Sequence, residues 1–222
     1  MKKDKTIRCL LLGLFLLSTV GILYAGGVME RGSGNLITEE FDFRDFTDFD
    51  VSGSWDVQII QGPYGVSVAV DDNILKYVRV EKRGNTLSLS TKSGRFLRAT
   101  FKATISMPDL EMISTSGSTR ITFSGFDSAE LSIKTSGSSR ITGTACVIEQ
   151  MKIDSSGSSD LDLKDCEIID ALIELSGSTR VKLTMAGGDL TGKMLGSGSI
   201  IYYGEVDNLN VRSSGSSRIM KK

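Results

Sequence analysis

The chain contains no histidine among its 222 residues. That absence excludes Ser-His-Asp and Cys-His catalysis, His-ligated zinc and His-ligated haem. Three cysteines are too few to fill a four-thiolate zinc or iron–sulfur site without other ligands. Proline occurs only twice. Beyond the N-terminal segment, no stretch spaces apolar residues at i, i+3, i+4 and i+7 over three turns, so no amphipathic helix is expected. Charge nearly cancels, with 26 basic against 27 acidic residues. Glycine, by contrast, is plentiful: 24 residues, about 11% against an average near 7%. Composition therefore predicts a folded β protein, with neither catalytic machinery nor cofactor.

The longest apolar run stands at the N-terminus. Lys2, Lys3, Lys5 and Arg8 precede Cys9–Tyr24, and Ala25 offers a small residue before Gly26-Gly27, so residues 1–25 read as an export signal. Leu23 is larger than a cleavage site prefers, which keeps an uncleaved anchor open as the alternative. From Cys9 to Ala25 there are 17 residues, the short end of a membrane-spanning helix. Either reading exports the rest of the chain, to the periplasm, the cell surface or the medium. Cys9 precedes the apolar run, whereas lipid attachment needs a cysteine after it. Without residues 1–25 the chain keeps 22 basic and 26 acidic residues, a net charge of −4. Such a surface argues against nucleic acid and against adsorption to anionic lipid. The N-terminal segment is then the only expected membrane contact, and 26–37 reads as a linker.

Self-similarity dominates the remainder. Ser-Gly-Ser recurs with its glycine at Gly53, Gly117, Gly137, Gly157, Gly177, Gly198 and Gly215. The last six are 20, 20, 20, 21 and 17 residues apart. Four residues before each glycine stand Phe49, Ile113, Ile133, Ile153, Ile173, Met194 and Val211; four after stand Val57, Ile121, Ile141, Leu161, Val181, Tyr202 and Ile219. Both columns are apolar, and alternation of period two surrounds them, the mark of half-buried strands. A single strand–corner–strand coil cannot bury its inner face, but coils stacked at the usual strand spacing bury a continuous column. The predicted fold is all-β: a right-handed parallel β-helix (β-solenoid) with coils of about 20 residues. Its regular repeats span 113–222. Residues 38–112 read as irregular coils and a cap rich in aromatics, notably Phe41, Phe43, Phe46, Phe49 and Trp55, within one domain over 38–222. Strands are expected there at Phe41–Phe49, Val51–Gln61, Val66–Val70, Lys76–Lys82, Thr86–Ser90 and Arg95–Ser106.

The run "DFTDFDVSGSWDVQIIQGPYGVSVAVDDNILKYVRVEKRGNTLSLST", the recurring "SGSSRI" and the late "GSGSIIYYGEVDNLNVRSSGSSRI" resemble the putative auto-transporter adhesin head GIN domain family. The resemblance covers about 38–220. It implies an exported bacterial β-helical domain acting at the cell surface, and it carries no catalytic residues.

Four groups are candidate sites. Cys146 and Cys166 each follow their repeat glycine by nine residues, in a column with Phe126 and Ala186 that reads as inward-facing. Stacking would place their Cα atoms about 5 Å apart, within disulfide range, and an exported protein permits oxidation; a free buried thiol pair is the alternative. Three residues after each glycine stand Asp56, Arg120, Arg140, Asp160, Arg180, Ile201 and Arg218. Arg120, Arg140, Asp160 and Arg180 would form a charged ladder, either solvated ion pairs or a stripe that recognises acidic sugars. Serines flanking the glycines would line one edge, where they bond neighbouring backbone or meet sugar hydroxyls. Asp71-Asp72-Asn73 and the acidic run Asp160–Asp170 have calcium-ligand chemistry without EF-hand spacing.

The expected function is non-catalytic binding or scaffolding in the cell envelope, with an unidentified glycan or protein as surface ligand. A carbohydrate-active enzyme using Asp160 and Asp162 is the rival, and a purely structural envelope component the third reading. The last coil, Val211–Ile219, has no evident cover. Lys221 and Lys222 would blunt that edge, or the edge would pair two copies into a homodimer.

Overall fold

The computed structural model describes residues 28–222; the expected export signal lies outside the described residues. Within them no helix is long and apolar enough to cross a membrane. In chain order the strands are β1 (Val28–Arg31), β2 (Leu36–Phe41), β3 (Asp48–Gly53), β4 (Asp56–Gln61), β5 (Gly65–Asp71), β6 (Val78–Arg83), β7 (Thr86–Thr91), β8 (Gly94–Leu97) and β9 (Phe101–Met107). The repeats follow as β10 (Met112–Gly117), β11 (Arg120–Ser124), β12 (Asp127–Gly137), β13 (Arg140–Gly157) and β14 (Asp160–Gly177). The last five are β15 (Arg180–Ala186), β16 (Asp189–Gly196), β17 (Ser199–Glu205), β18 (Asn208–Gly215) and β19 (Arg218–Lys221). They wind into a parallel β-solenoid of about six turns.

Burial within one coil explains its shape. From Arg140 to Ser159 the inward residues are Ile141, Gly143, Cys146, Ile148, Met151, Ile153, Ser155 and Ser159. Alternation is interrupted at Thr144-Ala145, Glu149-Gln150 and Ser156–Ser158, where consecutive side chains face outward. A strand that turns two neighbours outward changes direction, so three interruptions fold each coil into three sides. Identical positions then pair in register, as Ile113–Ile133–Ile153–Ile173 and Ile121–Ile141–Leu161–Val181–Ile200–Ile219. These rows are the core; Ile133, Ile153 and Ile173 have no exposed surface.

At the Ser-Gly-Ser corner each glycine takes positive φ, +118° at Gly117 and +134° at Gly157. The corner serines face solvent, and their backbone bonds the coil beneath: Ser138 N donates to Gly117 O, and Ser158 N to Gly137 O, both at 2.8 Å. The hydroxyls used structurally are those one step further from the glycine, which turn inward. Thr115 Oγ1 meets Thr119 Oγ1 at 2.9 Å and Ser139 Oγ at 3.2 Å. Ser155 Oγ meets Thr135 Oγ1 at 2.7 Å and Thr179 Oγ1 at 2.6 Å. A polar seam therefore runs inside an apolar stack, satisfied by its own members. Ser155→Ala removes the central link, strands the buried Thr135 hydroxyl and leaves Thr179 Oγ1 only the long bond from Ser159 N at 3.4 Å, so the unfolding free energy is expected to fall by about 1–3 kcal/mol. Urea titration checks this, and an unchanged midpoint would refute the seam's role.

Several repeat positions after Gly177 differ from the sequence reading. The corner between Gly177 and Gly215 is Gly196, at φ +111°, and not Gly198. Leu163 pairs with Leu183 and Glu167 with Thr184, so three residues of β14 have no counterpart, and two extra residues precede Leu190. That coil is one residue short, which pulls the corner onto the first glycine of Gly196-Ser-Gly198. The apolar columns accordingly pass through Gly192 and Ile200 rather than Met194 and Tyr202. The shortening also removes Ala186 from the cysteine column: it is exposed and pairs with Glu205.

The N-terminal part is a cap with one true coil. β3 and β4 stack directly beneath β10 and β11, so Gly53 lies in register with Gly117 although 64 residues separate them. The intervening chain passes below. β7 pairs with β3 and β9 with β4, both parallel, while β5 crosses antiparallel to β2 and β9. Residues 28–37, expected as a linker, carry β1 and the start of β2; β1 pairs with β8. The expected Phe41–Phe49 strand is broken after Phe41. A 3-10 turn at Leu75–Tyr77 precedes β6, and Arg95–Ser106 splits at Arg98, where φ is +51°. The opposite end stays open: Val211 and Ile219 are half-buried and Leu209 is half-exposed.

Candidate functional site

Beside the Ser-Gly-Ser corner runs a shallow groove of about 530 Å³. One side is the row of outward serines Ser54, Ser118, Ser138 and Ser158. The other is the charged ladder, whose members pair in register as Asp56–Arg120–Arg140–Asp160–Arg180. Beyond Arg180 the ladder continues through Ser199, not Ile201, because of the shortened coil, and then Arg218. Both rows owe their straightness to the same cause, since every coil repeats the same corner and strand start directly over the last.

Ala99–Lys102 wall the lower end of the groove, and Trp55 closes its floor. Trp55 occupies the inward position that holds Thr119, Ser139, Ser159 and Thr179 in successive coils, and its ring lies 5.2 Å from Phe101. The wall is fixed from behind by Asp71, a buried carboxylate that accepts from Gly34 N at 2.6 Å and Thr100 N at 2.7 Å. Asp72 accepts from Ser33 Oγ, Asn35 Nδ2 and Asn73 N, and these bonds hold its carboxyl below the usual range. The Asp71-Asp72-Asn73 turn thus clamps the N-terminal loop. Among the described residues no cluster of three metal-ligating side chains occurs.

The ladder's ion pairs are long. Arg120 stands 4.0 Å from Asp56, Arg140 3.8 Å from Asp160 and Arg180 4.0 Å from Asp160. One position further along, Lys182 closes on Asp162 at 2.9 Å, and its pKa is raised by that hydrogen bond. Asp160 Oδ1 is a buried oxygen without a hydrogen-bond partner. Cys146 and Cys166 pair in register and are buried as free thiols, with Phe126 below Cys146.

A family model described as "Putative auto-transporter adhesin, head GIN domain" matches residues 45–165. The chain belongs to this family. The match takes in the Gly53 coil, the cap and the first regular coils of the GIN domain. A putative adhesin from Bacteroides fragilis aligns with a TM-score of 0.68 at 19% identity, covering 86% of this chain and 99% of that one. A putative lipid binding protein and a putative adhesin, both from Parabacteroides distasonis, each align with a TM-score of 0.55 at 19% identity, covering 88% of this chain and all of theirs. At such identities the likeness is one of fold. No curated protein matches. In this GIN domain the ladder and the serine row were legible from spacing alone. The wall at Ala99–Lys102 was not, because pairing β9 beneath β4 leaves no periodic trace; the aromatic pair Trp55 and Phe101 was its only signal.

Proposed function

We propose that the chain is a non-catalytic binding head exported to the cell envelope, and that the serine–arginine groove is its contact surface for an acidic glycan. The incompletely closed guanidinium groups carry this reading. Arg120 and Arg140 have 58% and 60% of their side-chain surface exposed, and meet their carboxylates at 4.0 and 3.8 Å. A closed charge-assisted pair would stand at about 2.7–2.9 Å, so each planar fork keeps donors free for a carboxylate or sulfate. The serine hydroxyls both donate and accept, so their row can meet sugar hydroxyls. The basic and apolar segment at residues 1–25 supports export. The adhesin names of the family and of its structural neighbours agree with a surface role.

The rival enzymatic reading needs a general acid beside a second carboxylate. Asp162 is instead engaged by Lys182, and Asp160 stands between two guanidinium groups. A glycan array of acidic and neutral polysaccharides tests the proposal. The protein is expected to retain acidic glycans, and the Arg120→Ala/Arg140→Ala variant to lose about tenfold or more in affinity. Its melting temperature should stay within about 2 °C of the parent, since exposed ion pairs contribute little. Binding to neutral lipid vesicles with no glycan retained would overturn the reading. So would turnover of a polysaccharide that Asp160→Asn abolishes.

A further inference from the structure

Cys146 and Cys166 occupy one register position of two adjacent coils, both facing inward and almost wholly buried at 2% and 1% exposure. Parallel neighbours at one register position stand about 4.8 Å apart, inside the Cα range of a disulfide. The surrounding structure leaves room for the bond. Gly143, the inward residue just before the corner, has no side chain, and a Cβ there would lie 2.7 Å from Cys166 Sγ. The corner just before Cys146 also departs from regular ladder pairing: the pairing slips by one residue at Thr144–Asp165, and Ala145 takes φ +52°.

We propose that Cys146 and Cys166 form a disulfide in the exported protein, stapling two coils at the middle of the stack. The chemistry is thiol–disulfide exchange with an external disulfide oxidant of the envelope. The Cys146 thiolate attacks one sulfur of the oxidant and expels its partner sulfur as a thiolate. Cys166 then attacks Cys146 Sγ in the mixed disulfide and expels the second thiolate. The two protein protons end on the two leaving thiolates, so the oxidant is reduced to two thiols as the bond forms. In the closed coil the Cys166 thiol hydrogen-bonds to Cys146, which lowers the Cys146 pKa to about 7, while Cys166 is pushed up by that same contact and by burial; before closure the roles of the two thiols are interchangeable. Burial sets the order of events. The oxidant reaches these sulfurs before the coils close over them, and reductants do not reach the finished bond without unfolding.

The test uses the full chain refolded in a glutathione redox buffer. The product is denatured and alkylated without reductant, then mapped by mass spectrometry, so that Cys9 is scored separately. The expected result is a peptide pair joined through Cys146 and Cys166, neither sulfur alkylated. Refolding under reductant should lower the melting temperature by about 6–12 °C, the size expected for closing a loop of about 20 residues. Pulled from its ends, the oxidised chain should extend about 70 Å less than the reduced one, because about 20 residues are held inside the ring. Alkylation of both cysteines after oxidative refolding would overturn the proposal, as would a glutathione adduct on Cys146 that never resolves. None of these readings depends on what the groove binds.

Discussion

Gly157→Ala is expected to lower the melting temperature by about 10 °C. Two costs combine. Gly157 has φ +134°, a conformation that strains any L side chain by about 1–3 kcal/mol. The new Cβ would also point along the stack into the carbonyl oxygen of Gly137, with Gly137 N at 2.9 Å. Backbone cannot swing aside as a flexible side chain would, so the coils must separate at that corner, adding about 1–3 kcal/mol. The sum of about 2–6 kcal/mol converts to about 4–24 °C in a domain of this size, centred near 10 °C. Gly187→Ala is the control. Its φ is +100°, but an added Cβ meets nothing within 4 Å, so only the conformational cost applies. Far-UV circular dichroism during heating distinguishes the two, and equal shifts would show that coil spacing at the corner is not limiting.

Trp55→Ala should cost about 3–5 kcal/mol, the usual penalty for emptying a buried indole site. Trp55 is 3% exposed and ends the polar seam: below Thr119 the inward position changes from a hydroxyl to a ring packed on Phe101. Alanine there opens the end of the stack to water at the point where the cap joins the first coil. The indole Nε1 is buried without a hydrogen-bond partner, and that burdens the native state. Trp55→Phe removes the burden while keeping most of the ring, so it should cost less than half as much as Trp55→Ala. Denaturant titration followed by circular dichroism measures both variants. Equal losses would mean that the N–H is satisfied in solution. Because Trp55 is the single tryptophan, its fluorescence in the parent reports directly on cap unfolding.

Coil length, the two apolar columns, the cysteine pairing position and the charged ladder were all legible in the sequence. Each repeats at a nearly constant interval, and stacking turns an interval into a neighbour. Gly196 and Gly198 mark where that inference fails. The tripeptide pattern fits Ser197-Gly198-Ser199, yet the corner requires a glycine at positive φ over Gly177, and a shortened coil moves it to Gly196. Pattern matching counts residues, whereas a coil is constrained by where its backbone lands. The flanking serines show a similar limit: their hydroxyls face the groove, and the structural bonds come from Thr115, Thr135, Ser155 and Thr179 further out.

Periodic composition by itself determined that the chain stacks as a solenoid and which side chains form its rows, because a repeated coil meets only copies of itself. Tertiary structure decided what has no repeat: the descent of residues 62–111 beneath the first coil, the cap of Trp55 and Phe101, and the wall that turns a surface stripe into a groove. Those features arise from contacts between segments of unlike sequence. Their pairing is selected by shape and by the closing of an open end, and neither leaves a period to be read.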